Sequence, residues 1–354
     1  MAEVIIMNLD MVYSFYFILL LNSMLLQQGI QFIVDDSGGF SSVAADFLEN
    51  IADEYTNTPV LLYAARGPGT YMNTISRKQA ISRALHDVVS FSRLSSFCKL
   101  IVPIGLPSLS RSQVSAFLRI DDEKPYHCSA VYAAAIHSTS QARQNMVGIL
   151  DVAMPALSLT GIFLIGEQNE QSFEWNLHSL TPEIAEDVKD LQAVESLTIH
   201  GALGSGGSHT SISEVKDSVY AGYQCAMKRP MFSHLSVASC PLPMPLPFHK
   251  IFGNLVGQHG ELLRSPIPGS QSRGSFDVHS IPMAARLRSS SAILPFIQNR
   301  LGNLRRFGTE RGAFGIELVR SWGFGKHELE DMGEGLSKMV MALDPKSHIS
   351  SDSD

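Results

Sequence analysis

The stretch from Ile30 to Ala64 constrains the fold of this chain more than any other. Ile30 to Val34 reads as a short buried strand, Asp35 to Gly39 as a polar turn, Phe40 to Tyr55 as a helix, and Val60 to Ala64 as a second buried strand. The helix follows from periodicity. Phe40, Val43, Ala44, Phe47, Leu48, Ile51, Ala52 and Tyr55 recur at the three-and-four spacing of one helical face, with Asp46, Glu49, Asn50 and Asp53 opposite. Two strands joined through a helix are set up to pair in parallel. A second unit follows, with helical spacing at Ile81, Ala84, Leu85, Val88 and Val89 inside Gln79 to Phe91, then an apolar strand from Cys98 to Ile104. The expected fold class is therefore α/β, a parallel sheet with flanking helices.

Pro125 suits the first turn of a helix running to about Arg143, and Ala130, Ala133, Ala134 and Ala135 would let it pack closely as a central helix. Beyond Ala153 the pattern weakens to an apolar run at Leu157 to Ile165 and mixed-charge stretches from Glu167 to Val194. Gly201 to Ser208 and the alternating Pro241, Pro243, Pro245 and Pro247 read as loops or linkers. The last 75 residues read as helical again. Ile293, Leu294, Ile297, Leu301 and Leu304 share one face, and Leu329, Met332, Leu336, Met339, Val340 and Leu343 share another.

Charge separates along the chain, whose net charge is -7. No Lys or Arg precedes Arg66, while eight acidic residues do. Arg286, Arg288, Arg300, Arg305, Arg306 and Arg311 form a basic block with Glu310 as its one acid, and an acidic block follows from His327. Such opposed blocks read either as solvated faces of neighbouring helices or as a surface for an anionic partner. An acidic chain of this kind is not a general nucleic-acid binder. Met11 to Leu26 is apolar but shorter than the roughly 20 residues of a spanning helix, and it lacks the flanks of a secretory or mitochondrial leader. Cys98, Cys128, Cys225 and Cys240 form no C-x-x-C pair, so neither a zinc spacing nor a redox motif is present, and a reducing intracellular compartment is expected.

The motifs of common enzymes fail one by one. Gly201 to Ser208 lacks the G-K-[ST] ending of a P-loop and the third glycine of a dinucleotide fold, and neither H-E-x-x-H nor G-x-S-x-G occurs. No catalytic residue and no metal site is assigned. What remains is the turn Asp35, Asp36, Ser37, Gly38, Gly39, Phe40, Ser41, Ser42. Glycines between a strand end and a helix start let backbone N–H groups approach an anion. The same residues also suit a tight strand-to-helix turn capped by Ser37 or Ser41, with the two carboxylates opposing a phosphate.

The segment FIVDDSGGFSSVAADFLENIADEY followed by TPVLLYAARGP, together with SIPMAARLRSSSAILPFIQNRLGNLRRFG from Ser280, resembles the Misato family, tubulin relatives linked to mitochondrial distribution and morphology. The resemblance runs from about Gly29 onward. It implies a partial tubulin/FtsZ-like sheet with a helical carboxyl-terminal region. By the resemblance, Ser37, Gly38, Gly39 and Ser41 stand in the tubulin phosphate loop, with GTP as the candidate ligand; the Thr-Gly pair of that loop is replaced by Phe40-Ser41. No Asn occurs between Asn73 and Asn145 to read a guanine ring, so the site would be a degenerate GTPase site. Matching begins near the fourth tubulin strand, so the chain reads as an amino-terminally truncated member. The expected organisation is 1–28 unmatched, 29–165 tubulin-like, 166–344 carboxyl-terminal and 345–354 an acidic tail. The resemblance implies a non-enzymatic factor in the cytoplasm and on the mitochondrial outer surface, with protein partners of the cytoskeleton or that surface and peripheral membrane association. A GTP-hydrolysing cytoskeletal protein and a protein anchored through Met11 to Leu26 are the rival expectations; the oligomeric state stays open.

Overall fold

The computed structural model describes residues 3–6, 29–55, 58–68, 76–115, 117–140, 156–163, 178–185, 194–201, 211–225, 232–269, 272–310 and 313–344. Met11 to Leu26, Ala202 to Ser208, Arg311 and the tail from 345 lie outside them.

The first sheet is parallel throughout, in the order β1 (Glu3–Ile6), β2 (Ile30–Asp35), β3 (Val60–Ala65), β4 (Leu100–Ile104). Helix α1 (Phe40–Glu54) links β2 to β3 and α2 (Arg77–Ser96) links β3 to β4. The β3 and β4 strands are almost continuously buried, as expected for strands covered on both faces. α2 begins with a capping box: Ser76 Oγ accepts from the Gln79 amide and Gln79 Oε1 accepts from the Ser76 amide.

α1 sits where the periodicity places it but is rotated about its axis. Its buried residues are Ser41, Ala44, Ala45, Leu48 and Ile51, whereas Phe40 and Val43, expected on the buried face, are 38% and 54% exposed. The reason is polar. Ser41 Oγ lies 2.8 Å from Ser90 Oγ of α2, which turns the Ser41 side inward and Phe40 and Val43 outward.

Helix α3 (Pro125–Ser140) is central. One core gathers Tyr63 and Val102 of the first sheet, Val131, Ala134 and Ala135 of α3, and Leu159, Met283 and Leu287 of a second sheet. That sheet has the order β6 (His178–Ser179), β5 (Ser158–Phe163), β11 (Met283–Ser289), β7 (Val194–His200), β8 (Phe232–Ala238). β11 runs antiparallel to β5 and β7, and β7 runs parallel to β8. Helix α4 (Ile212–Cys225) covers the other face through Val215 and Val219 against Leu197, Ile199 and Ala284. The sheets meet where the Leu157 amide donates to the Ile101 carbonyl at 2.9 Å. The proline-rich stretch contributes the short strand β9 (Leu242–Pro243), which pairs with β10 (Ser280–Ile281).

The carboxyl-terminal region starts with the strand β11 rather than with helix. Met283, Ala285 and Leu287 alternate with Ala284, Arg286 and Arg288, a period of two that pairs on both edges. Helices α5 (Leu294–Asn303), α6 (Ala313–Ser321) and α7 (Lys326–Leu343) follow, with a π-helical turn at Leu304–Glu310. They pack on the first sheet's own layer: Ile297, Leu301, Val319, Leu329 and Leu336 share a core with Leu48, Leu62, Leu85 and Val88. Along α2, Lys78 lies over Phe314, the His86 ring meets Trp322 edge-on, and Arg93 lies over Phe324.

Leu85→Ala empties a fully buried position of this core. It is expected to cost about 2–5 kcal/mol in urea unfolding, whereas Val43→Ala on exposed α1 surface changes stability by less than about 0.5 kcal/mol.

Candidate functional site

In α/β sheets ligands bind beyond the carboxyl ends of the strands, and there β2 ends in the Gly turn. Asp35 Oδ1 accepts from both the amide and the hydroxyl of Ser37, at 2.9 and 2.6 Å. Ser41 donates its hydroxyl back to the Gly38 carbonyl, and the Ser41 and Ser42 amides donate to the carbonyls of Gly38 and Gly39. Gly39 is the N-cap of α1 and no side chain caps the helix, so neither Ser37 nor Ser41 plays that expected part.

Asp36 points the other way and is buried. Arg66, at the end of β3, grips it with two nitrogens: Nε donates to Oδ1 at 2.8 Å and Nη2 to Oδ2 at 3.0 Å. Nη2 also reaches the Asp36 carbonyl, and Nη1 donates to Asp87 Oδ1 of α2 at 2.7 Å. Arg66 is 7% exposed and Asp36 8%, so the pair is removed from water and its geometry is what offsets the desolvation. The backbone is fixed as well. The Arg66 amide donates to Ile104, and Gly105, at φ +150°, lies so close that a Cβ there would stand 2.7 Å from the Arg66 Cβ. A side chain at 105 is excluded on both counts.

A second buried guanidinium continues the network. Arg300 of α5 stacks on Phe296 with 3.2 Å to the ring centroid and donates to the Phe296 carbonyl. It lies 3.6 Å from Glu183, a residue held at φ 56° that also accepts from Asn299. Burial pulls Arg300 below its ordinary pKa, against the opposing fields of Glu183, Asp87 and Asp36. The β4–α3 connection is held by Asp122, which accepts from the Ser108 and Ser110 hydroxyls and the Leu109 and Ser110 amides. Burial alone would raise the Asp122 carboxyl, but these four bonds outweigh it and hold the group below its usual range. Burial pushes the Cys98 thiol up to about 12; at Cys128 burial and then Asp122 and Asp121 push it up to about 11, so neither is a thiolate nucleophile at neutral pH.

No family model matches the chain. Misato homolog 1 of Mus musculus is 25% identical over 358 aligned positions, covering 88% of this chain and 60% of that protein. Protein DML1 of Gibberella zeae is 29% identical over 143 residues, 38% of this chain and 27% of its own. Misato homolog 1 of Homo sapiens is 30% identical over 118 residues, 32% of this chain and 20% of its own. The chain is similar to Misato homolog 1 along most of its length. It spans less than two thirds of the length of these relatives, and its α/β architecture agrees with a partial tubulin-like fold.

In this chain the basic block does not form one surface. Arg286 and Arg288 stand on β11, 3.9 and 3.6 Å from a carboxylate oxygen of fully buried Glu195, and Arg300 is buried against Phe296. Arg300 is withdrawn from the expected anionic-partner surface because the α5 core encloses it, while Arg286 and Arg288 are half-buried and face Glu195. Arg305 and Arg306 are exposed on the π-helical turn, and Arg311 lies outside the described residues. Sequence reasoning missed Arg66 and Asp87. The signal was there in part: Arg66 is the first cation of the chain and directly follows a buried strand, where a charge needs a partner.

Arg66→Met leaves Asp36 buried without its counter-charge, and urea unfolding is expected to show a loss of about 3–5 kcal/mol. A carboxyl whose folded pKa is depressed adds stability above its unfolded value of about 3.9 and loses it as pH falls through the folded value. The stability gap between wild type and Asp122→Ala is therefore expected to be full at pH 6 and to narrow at acid pH below about 4; a gap independent of pH would contradict the assignment.

Proposed function

We propose that the chain acts as a non-enzymatic, tubulin-like factor in mitochondrial distribution and morphology. It works in the cytoplasm and at the mitochondrial outer surface through protein partners of that surface or of the cytoskeleton. The observation that carries this reading is the similarity to Misato homolog 1 across 88% of the chain, joined to a tubulin-like body. Contact with an acidic partner would fall to Arg305 and Arg306, the exposed remainder of the basic block. The enzyme-class rival, a GTP-binding cytoskeletal protein, draws on the Gly turn at the carboxyl edge of the sheet.

The reading is tested by imaging mitochondria in cells depleted of this protein and resupplied with this chain. Collapse of the network on depletion and its restoration by the chain is the expected result; depletion without effect on mitochondria removes the proposal. Arg305→Glu with Arg306→Glu is expected to weaken recruitment to mitochondria while leaving thermal stability unchanged.

A further inference from the structure

The tubulin resemblance implies a nucleotide whose phosphates sit at the Asp35–Ser41 turn, and the residues present do not fit that group. Space is not the obstacle, since a Cβ at Gly38 or Gly39 would meet nothing within 4 Å. Charge and donors are. The Ser37 amide and hydroxyl are both turned onto Asp35, and the Ser41 hydroxyl is turned onto the Gly38 carbonyl while also contacting Ser90. A phosphate arriving here would meet the exposed carboxylate of Asp35. The nearby cation, Arg66, has its Nε, Nη1 and Nη2 directed at Asp36 and Asp87. Among these four groups three are acids and one is a base, so the turn carries an excess of negative charge against a polyphosphate anion.

We infer that the turn is self-liganded: Asp35 occupies both Ser37 donors and sets its exposed charge against an arriving anion, the buried Asp36 with Arg66 and Asp87 holds the turn from behind, and this chain takes no nucleoside triphosphate there. Arg66 thereby supplies from within the chain the cross-link between strand ends and α2 that a bound ligand would otherwise supply. The inference stands apart from the mitochondrial reading, which holds or fails with the imaging of cells.

The test is binding of radiolabelled GTP with Mg2+ to the purified full chain by equilibrium dialysis, with inorganic phosphate as a second probe. Wild type is expected to show no saturable uptake at about 1 mM GTP, a concentration at which a site with Kd near 10 μM would be about 99% filled. Asp35→Ala removes the exposed charge and frees the Ser37 donors without touching the buried pair, and it is expected to show saturable uptake of phosphate or GTP where wild type shows none. Saturable GTP binding by wild type that Gly39→Val abolishes would overturn the inference. Failure of Asp35→Ala to gain any anion affinity, with its melting temperature unchanged, would overturn the role given to Asp35.

Discussion

The carboxyl edge of the first sheet is organised around one buried guanidinium. Arg66 touches Asp36 after β2 and Asp87 on α2, and its own backbone is bonded to the end of β4. Three strands and a helix are therefore positioned against a single residue, two of these elements through its side chain and β4 through its backbone. A planar fork serves here where a lysine would not, because two of its nitrogens meet both oxygens of Asp36 while the third reaches sideways to Asp87. Burial makes the arrangement exacting: any displacement that opens one contact leaves a charge without water to solvate it. Gly105 completes the constraint by letting the chain beyond β4 pass against the Arg66 backbone.

Two further devices bind the layers together. α3 is shared, presenting one side to β3 and β4 and another to β5 and β11, so the two sheets have a common core rather than a hinge between separate ones. The Tyr63 hydroxyl of β3 lies 3.2 Å from Thr139 Oγ1 and ties the helix to the first sheet. On the opposite side α2 is held to the carboxyl-terminal helices by ring contacts of Lys78, His86 and Arg93, spaced along most of its length. Both devices use partners far apart in sequence.

That distance explains what could be read beforehand. The β2–α1–β3 and α2–β4 units, α3 and the apolar faces of α5 and α7 were visible because each is written in local periodicity. α1's rotation was not, because it depends on a hydroxyl pair 49 residues apart. β11 was hidden inside a basic-looking run, since Arg286 and Arg288 mimic a solvated helix until Glu195 is placed beneath them. The Gly turn was legible as a turn, including the conflict between its glycines and its carboxylates; its closure by Arg66 required the tertiary fold.

The shared core of β2, β3, α1 and α2 with α5, α6 and α7 carries a consequence for synthesis on the ribosome. Residues before 105 and residues after 292 line the same interior. The amino-terminal strands thus emerge with one face of their helical layer uncovered, and they stay so until nearly the whole chain has been made. Because the covering helices come last, closure is a long-range step of the kind that slows folding and leaves apolar surface open to capture. Through most of its translation a nascent chain therefore leaves that apolar face open to aggregation or capture, and a stop codon placed before α5 would leave it bare for good.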